Sequence, residues 1–277
     1  MVDQVAFWNG PAAERWVRDE ANLDAMLQPF GQAALEAAAV VRDEAVLDVG
    51  CGCGDTSLAL ARRVGSGGRV LGLDASAPML ARARDRAATL ANVTFLQGDA
   101  SREPLAREAF DLLFSRFGVM FFANPVVAFA HLRLALRPQG RVVFVCWQPL
   151  AENRWATAPF EAATSVLGRP DPQPPEAPGP FSFGDAGRVR RVLEGAGLRE
   201  ASLRRFDAPM RFGTSDSLED AAQEIARVGP TARLLVDRDP ATVSKALAAI
   251  RAILPPFASP KGGVEFPAAA WIVTARY

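Results

Sequence analysis

The fold is decided by the stretch Val46-Leu47-Asp48-Val49-Gly50-Cys51-Gly52-Cys53-Gly54. A short apolar strand runs here into three glycines at alternate positions, and a helix is predicted over Asp55–Val64. Glycines permit a tight turn and let a ligand approach bare backbone, and the start of the following helix supplies unpaired N–H groups. An ordinary strand-to-helix turn does not need three glycines in five residues. The stretch therefore predicts a ligand-binding loop in an α/β domain.

Strands and helices alternate outward from this loop. The predicted strands are Ala45–Val49, Arg69–Leu73 with Asp74 at its end, Val93–Gln97, Phe110–Ser115 and Arg141–Trp147. The predicted helices between them are Asp55–Val64, Pro78–Leu90 and Pro125–Leu136. This order forms right-handed βαβ units, which give a parallel sheet with helices on both faces.

The flanking segments add helices and two more strands. Val5–Ala39 is predicted to be helical, with Pro29-Phe30-Gly31 as a break. Arg169–Pro180 is rich in proline and predicts a stiff, extended connection. Later helices are predicted over Glu152–Leu167, Asp185–Gly195, Ser217–Val228 and Pro240–Leu254, and later strands over Leu198–Phe206 and Ala268–Ala275. The chain thus predicts one α/β domain with insertions after strand five and between strands six and seven.

Acidic residues at successive strand ends indicate the ligand. The glycine spacing is G-x-G-x-G, not the G-x-G-x-x-G of dinucleotide-binding loops. Asp48 precedes the first glycine by two residues and suits a cationic amino group. Asp74 ends the second strand, where a carboxylate can accept both ribose hydroxyls, and Asp99 follows the third, where it can accept from an adenine amino group. Together they predict a nucleoside attached to an amino acid, without pyrophosphate.

At this point the sequence resembles the class I S-adenosylmethionine-dependent methyltransferases, in the bacterial branch often labelled UbiE-like. The residues that carry the resemblance are Leu47–Gly54, Asp74, Gly98-Asp99-Ala100, Ser115–Phe122, Leu136–Arg141 and the opening Phe7-Trp8-Asn9-Gly10-Pro11. The resemblance implies a Rossmann-like, seven-stranded, mostly parallel sheet with its last strand antiparallel. It also implies a single methyltransferase domain, with an N-terminal helical cover (1–40) and a cofactor-binding core (41–150). An insertion with the proline-rich loop (151–184) and the rest of the sheet with a helical insertion (185–277) complete the domain.

The resemblance also implies which residues meet the cofactor, S-adenosyl-L-methionine, which leaves as S-adenosyl-L-homocysteine. Those residues are Asp48, Gly50, Cys51, Gly52, Asp74, Ala75, Met79, Asp99, Ala100, Ser115, Arg116 and Phe117. Candidate walls of the acceptor site are Trp8, Trp16, Phe121, Trp147, Asn153 and Trp155. Other roles remain open at this point. The sequence is equally compatible with Met79 and the aromatic residues as ordinary core residues, and with Arg116 as a solvated or salt-bridged loop residue. The cysteines Cys51 and Cys53 are interpreted as small loop residues rather than nucleophiles.

Composition excludes several classes of function. Lys+Arg and Asp+Glu both number 31, so the chain lacks the basic excess of a nucleic-acid binder. Three cysteines and the single His131 provide neither a disulfide framework nor a zinc cluster. His131 falls inside a predicted helix and is interpreted as structural, so no catalytic residue and no metal are assigned. The N-terminus lacks the basic region of a signal peptide, and Asn124-Pro125 interrupts the apolar window Phe117–Leu136.

The sequence thus predicts a bacterial, cytoplasmic enzyme that transfers a methyl group in line to a small molecule, with oxygen, nitrogen or carbon as the acceptor atom. No nucleic-acid or membrane partner is expected, and a homodimer is left open. Two alternatives stand beside this prediction. One is a nicotinamide-dependent oxidoreductase, against which the glycine spacing and Asp48 count. The other is a protein that binds S-adenosylmethionine on the same fold without catalysis.

Overall fold

A computed structural model describes residues 3–172, 174, 176–213 and 217–277. The strands are β1 (Ala45–Val49), β2 (Arg69–Asp74), β3 (Val93–Gln97), β4 (Phe110–Arg116), β5 (Leu136–Trp147), β6 (Arg199–Phe212) and β7 (Val264–Arg276). The helices are α1 (Gln4–Phe7), α2 (Pro11–Arg18), α3 (Glu20–Ala38), α4 (Asp55–Val64), α5 (Ala77–Arg86), α6 (Pro125–Arg133), α7 (Arg154–Leu167), α8 (Ala186–Gly195), α9 (Leu218–Ile225), α10 (Gly229–Leu235) and α11 (Pro240–Ala252). No helix among the described residues is long and apolar enough to cross a membrane.

The strands form one sheet in the order β3-β2-β1-β4-β5-β7-β6. β1 to β5 pair in parallel, and β7 runs antiparallel to β5, from Arg141 opposite Arg276 to Trp147 opposite Ala270. This topology confirms the predicted fold. The strand order reverses at β1 and β4, which are neighbours in the sheet, and ligands of open α/β sheets bind at such a point.

The chain divides into two compact units. Unit 1 contains Met1–Trp147, Glu176–Phe206 and Ala270–Tyr277, and unit 2 contains Gln148–Pro175 and Asp207–Ala269. In unit 1 every residue of β1 is buried, as is expected of a central strand. In unit 2 the helices α7, α9, α10 and α11 pack on one another. The single-domain partition drawn from the resemblance remains a prediction.

The predicted break at Pro29-Phe30-Gly31 is wrong, because α3 continues through all three residues. Proline removes one hydrogen bond of a helix and usually bends it. Here Phe30 is fully buried in an aromatic cluster, with its ring centroid 4.9 Å from that of Trp147. A Cβ on Gly31 would lie 3.1 Å from Cδ of Arg116, so the glycine leaves room for that side chain. Tertiary packing therefore holds the helix together at a sequence typical of a helix end.

Other boundaries differ where proline or glycine lies inside an element. β5 begins at Leu136 rather than Arg141. Pro138 is tolerated inside it because the pairing with β4 shifts register between Phe110 and Leu112. β7 begins at Val264 despite Pro267, which precedes the part paired with β5. The helix α10, which starts at Gly229-Pro230, was not predicted. Within the proline-rich stretch 169–180, Gln173 and Pro175 lie outside the described residues.

Candidate functional site

The glycine loop joins β1 to α4 in a conformation that only glycine adopts easily. Gly50, Gly52 and Gly54 have φ values of +69°, +55° and +87°, in the left-handed region. The N–H groups of Gly50 and Cys51 both point to the carbonyl of Leu73, at 2.8 and 3.3 Å. The loop is thereby fixed to the end of β2, the neighbouring strand.

A second glycine meets this loop from β4. A Cβ built on Gly50 would lie 2.7 Å from Cα of Gly118, so the two backbones touch. The buried hydroxyl of Ser115 holds them there, since it donates to the carbonyl of Val49 at 2.7 Å and accepts from Gly118 N–H at 3.2 Å. The hydroxyl of Ser115 thus bonds to both backbones, and the predicted contact of Ser115 with the cofactor remains a prediction.

Asp48 lies under the loop and is completely buried. Its Oδ2 accepts from Thr56 Oγ1 at 2.8 Å and from Ser57 Oγ at 2.6 Å, both in the first turn of α4. Its Oδ1 is buried and has no partner within the described residues. Burial raises the pKa of Asp48 from 3.8 to about 6, against the lowering effect of the two hydroxyls and Arg116. An unsatisfied buried carboxylate oxygen is costly, and it is a ready acceptor for a cationic group.

Asp74 connects the glycine loop to the turn after β2. Its Oδ2 accepts from Gly52 N–H and its Oδ1 from Ser76 N–H, each at 2.8 Å. Burial raises the pKa of Asp74, while these backbone donors lower it. Each carboxylate oxygen retains further lone-pair capacity beyond its backbone donor. The sequence predicts ribose hydroxyls as its ligands, and the side chain lies at the sheet edge where that prediction requires it.

Asp99 lies after β3 in a polar turn. Its Oδ1 accepts from the backbone N–H of Ser101 at 2.9 Å and from the Ser101 hydroxyl at 2.7 Å. Its Oδ2 is 3.1 Å from Nε of Arg102, whose side chain is 76% exposed. Asp99 and Ala100 are themselves partly exposed. An exposed arginine is easily displaced, so Oδ2 can accept from another donor.

Arg116 is held in an ion-pair network. Its guanidinium is 2.8 Å from Asp24 on α3 and 2.9 Å from Asp55 at the start of α4, and its side chain is only 10% exposed. Arg86 on α5 also pairs with Asp24 at 2.8 Å and donates to the carbonyl of Cys53 at 3.0 Å. Arg116 is therefore salt-bridged rather than solvated, and its contact with the cofactor remains a prediction. The network joins the helical cover to the glycine loop.

Phe117 follows in an unusual backbone conformation. Its φ is +60°, which is uncommon for a bulky residue. Its ring stacks on that of Trp147 with centroids 4.2 Å apart, and Phe30 packs edge-on against both rings. Phe206 joins the same cluster, 5.7 Å from Phe30. Phe117 and Trp147, predicted as a cofactor and an acceptor residue, are thus brought together as a packed aromatic pair.

A second aromatic group covers the glycine loop. Trp8 and Trp16 pack on a small cluster formed by Ala13, Cys53 and Met79. Trp8 also contacts Phe121 edge-on, with centroids 5.2 Å apart. A Cβ on Gly52 would lie 2.8 Å from Cε of Met79, so this methionine lies directly on the loop. The structure thus brings four predicted residues together, Trp8, Trp16, Met79 and Phe121.

Asn153 and Trp155 belong to unit 2 and bond to each other. The Asn153 side chain accepts from Trp155 Nε1 at 2.9 Å and from Ala269 N–H at 3.0 Å, and its amide donates to the carbonyls of Gln148 and Pro149. Both side chains are buried. Their polar atoms therefore hold unit 2 together, and a role toward an acceptor remains a prediction.

Four residues that the geometry puts at this site have no role predicted from the sequence. Gly118 contacts Gly50, and Thr56 and Ser57 bond to Asp48, as described above. Asn9 reaches the turn after β2, where it bonds to the backbone of Ala75 and Ala77. Asn9 and Gly118 lie within stretches quoted for the resemblance, but their pairing across the fold has no local signal.

The cysteines are buried, and the histidine is hydrogen-bonded to the backbone. All three cysteines are free and buried, and burial raises the pKa of the Cys53 thiol to about 12 and that of Cys51 well above its usual range. His131 Nε2 lies 2.8 Å from the carbonyl of Glu103. Among the described residues, no group of three or more His, Cys, Asp or Glu side chains could hold a metal ion.

Comparison with known proteins gives concordant matches. Residues 46–140 match the family model described as a methyltransferase domain. Demethylmenaquinone methyltransferase of Staphylococcus aureus is 38% identical over 97 residues in strain MRSA252, which are 35% of this chain and 40% of that protein. In strain JH9 it is 29% identical over 171 residues, 58% of this chain and 70% of that protein.

Two solved structures share the fold. A putative methyltransferase from Bacillus halodurans is 18% identical with a TM-score of 0.58, over 89% of this chain and 97% of that one. Phosphoethanolamine N-methyltransferase 2 of Haemonchus contortus was solved with phosphomonomethylethanolamine and S-adenosylhomocysteine. It is 17% identical with a TM-score of 0.55, over 90% of this chain and 52% of that one. At these identities the likeness supports the fold alone.

Proposed function

We propose that this class I S-adenosylmethionine-dependent methyltransferase of the UbiE-like branch methylates a small-molecule acceptor at a site built on the glycine loop and on the acidic ends of β2 and β3. The matching family model and the Staphylococcus relatives confirm the predicted family, enzyme class and cofactor. The residues of the site and the acceptor belong to the proposal, since the matched part spans only 40% of the first of these relatives.

The residues of the chain fit this cofactor. Gly50 and Gly52 form a cradle in which a Cβ would collide with Gly118 or Met79. The unpartnered Oδ1 of Asp48 would accept from the α-amino group, and Asp74 would accept from the ribose hydroxyls. Asp99 would accept from the adenine amino group. The observation that carries the proposal is the 2.8 Å hydrogen bond between Gly52 N–H and Asp74, which joins two predicted cofactor elements into one binding edge.

When bound, S-adenosylmethionine supplies a methyl group on a cationic sulfur, which is already activated for transfer. The protein therefore has to orient the two reactants and exclude water. The aromatic rings of Trp8, Trp16 and Phe121 are suited to both tasks beside the loop. His131 bonds to the carbonyl of Glu103, and burial raises the pKa of the Cys51 and Cys53 thiols. We therefore assign no general base and infer that the acceptor brings its own nucleophilic electron pair.

Calorimetry with S-adenosylhomocysteine and NADH tests the cofactor assignment. We expect S-adenosylhomocysteine to bind and NADH to give no heat, whereas binding of NADH alone would favour the oxidoreductase alternative. A transfer assay with isotopically labelled methyl donor against phenols, quinols and amines then tests catalysis. Cofactor binding with no labelled product from any acceptor class would favour the non-catalytic alternative.

The cellular location, the partner class and the oligomeric state of the enzyme are part of the same proposal. Free, buried cysteines suit a reducing compartment, and the Staphylococcus relatives are bacterial, which supports a bacterial cytoplasm. The balance of 31 basic and 31 acidic residues supports a small-molecule partner over nucleic acid. Light scattering after gel filtration would test the homodimer that the sequence leaves open.

A further inference from the structure

The opening motif Phe7-Trp8-Asn9-Gly10-Pro11 lies between two helices of the cover. α1 ends at Phe7, and α2 begins at Pro11 with Gly10 before it. Asn9 therefore occupies a short connection whose backbone is already shaped by glycine and proline. Its side chain is exposed, and the proposed chemistry makes no use of it.

Asn9 nevertheless makes three hydrogen bonds. Its Nδ2 donates to the carbonyl of Val5 at 2.8 Å and to the carbonyl of Ala75 at 2.9 Å, and its Oδ1 accepts from Ala77 N–H at 2.9 Å. The last two bonds bridge residues on either side of Ser76. The amide thus pairs with the turn after β2 much as a neighbouring strand would.

The same turn carries the proposed ribose carboxylate. Asp74 accepts from Ser76 N–H, and the Ser76 hydroxyl accepts from Met79 N–H at 3.4 Å to cap α5. The residue next to Asn9, Trp8, packs against Phe121 and on the cluster of Cys53 and Met79. One short motif therefore contacts the turn after β2, the glycine loop and the segment after β4.

We propose that Asn9 is a positioning residue that fastens the first helical segment, residues 4–18, to the turn 74–77. Binding of the nucleoside half of the cofactor is then coupled to the ordering of Trp8 beside Phe121. This inference rests on the proposed function in that it names the cofactor as the ligand of this turn. The fastening itself is a property of the ligand-free chain, and it is tested separately.

The test compares Asn9→Ala with Asp3→Ala. Asp3 caps α1 by accepting from Val5 and Ala6 N–H, so its removal loosens the same helix without touching Ala75 or Ala77. We expect Asn9→Ala to weaken S-adenosylhomocysteine binding about tenfold, because its hydrogen bonds to the turn are lost. Asp3→Ala should retain the wild-type affinity. Equal losses in the two variants would assign the effect to helix integrity and overturn the proposal.

Hydrogen–deuterium exchange provides a readout independent of activity. In ligand-free protein, Asn9→Ala should speed exchange both in residues 4–18 and at the start of α5, whereas Asp3→Ala should affect only the former. Added S-adenosylhomocysteine should protect both segments in the wild type and only the second in Asn9→Ala. Unchanged exchange at α5 in the ligand-free variant would refute the fastening. A wild type that does not bind S-adenosylhomocysteine would refute the proposed function instead.

Discussion

Gly50 and Gly118 lie 68 residues apart along the chain, yet their backbones meet with no room for a side chain between them. A Cβ on Gly118 would lie 2.8 Å from Cα of Gly50 and 2.8 Å from the carbonyl oxygen of Val49. Contacts this short force the backbone to move. The contact fixes the end of β4 against the loop that follows β1.

Gly118→Ala isolates this contact, because Gly118 has φ −81° and alanine adopts that conformation without strain. We expect S-adenosylhomocysteine affinity to fall at least about tenfold as the glycine loop is displaced, measured by calorimetry. Gly195→Ala is the matched control, since its Cβ would make only a 3.4 Å contact with Val126. Wild-type affinity in a folded Gly118→Ala protein would show that the loop tolerates displacement.

Asp74→Ala is expected to weaken S-adenosylhomocysteine binding by at least about tenfold, because ribose hydroxyls lose their acceptor and Gly52 loses the partner of its N–H. The control is Asp85→Ala, which removes an exposed carboxylate on α5. Titration calorimetry on both variants separates a specific loss from a general effect of charge. A loss of equal size in Asp85→Ala would contradict the assignment.

Asp48→Asn should raise the stability of the protein near pH 8 and weaken its binding of S-adenosylhomocysteine. Burial raises the pKa of Asp48 to about 6 in the folded protein, above its unfolded value. Protonated Asp48 therefore contributes about 3 kcal/mol to the free energy of unfolding of the wild type below about pH 4. This contribution is lost as the pH rises through 6. Asparagine does not ionise, so the gain in Tm over the wild type should grow between pH 4.5 and pH 8.

At pH 8 the same variant should bind S-adenosylhomocysteine more weakly, because the amino group loses its anionic partner. Thermal unfolding and calorimetry at both pH values check the two halves of this prediction. A variant that is destabilised at pH 8, or a Tm difference that is flat with pH, would be inconsistent with a strained buried carboxylate at position 48.

Arg116→Met should destabilise the protein by about 2 kcal/mol, because Asp24 and Asp55 lose the closer of the two cations that pair with Asp55 and keep only Arg86. Urea unfolding measures this change. The control Arg18→Ala removes an ion pair whose arginine is 59% exposed, and no measurable change is expected. Equal stability of Arg116→Met and the wild type would show that the network adds nothing to the packing of α3.

Local signals predicted the elements next to the glycine loop closely. β1, α4 and β3 have the predicted bounds, because an apolar strand that ends at glycine or at an acidic turn leaves little freedom. Three acidic strand ends in sequence also indicated the cofactor. The same local rules failed at Pro29 and Gly31, where the rings around Phe30 and the side chain of Arg116 decide the structure.

The functional assignments of the sequence were less complete for a physical reason. The Ser115 hydroxyl bonds to Val49, the Arg116 guanidinium to Asp24 and the Asn153 amide to Ala269, which lie 66, 92 and 116 residues away along the chain. Such pairings depend on the folded chain and have no periodicity to reveal them. The roles of Asn9 and Gly118 are of the same kind, because each is defined by a backbone that it meets across the fold.

Asn9 recognises only main-chain atoms, the carbonyls of Val5 and Ala75 and the N–H of Ala77. Substitutions at positions 5, 75 and 77 that preserve the backbone can therefore accumulate during divergence without loss of the connection. Position 9 has no such freedom, because a short side chain with both a donor and an acceptor is needed there. Related enzymes are expected to vary the turn while they retain an asparagine opposite it.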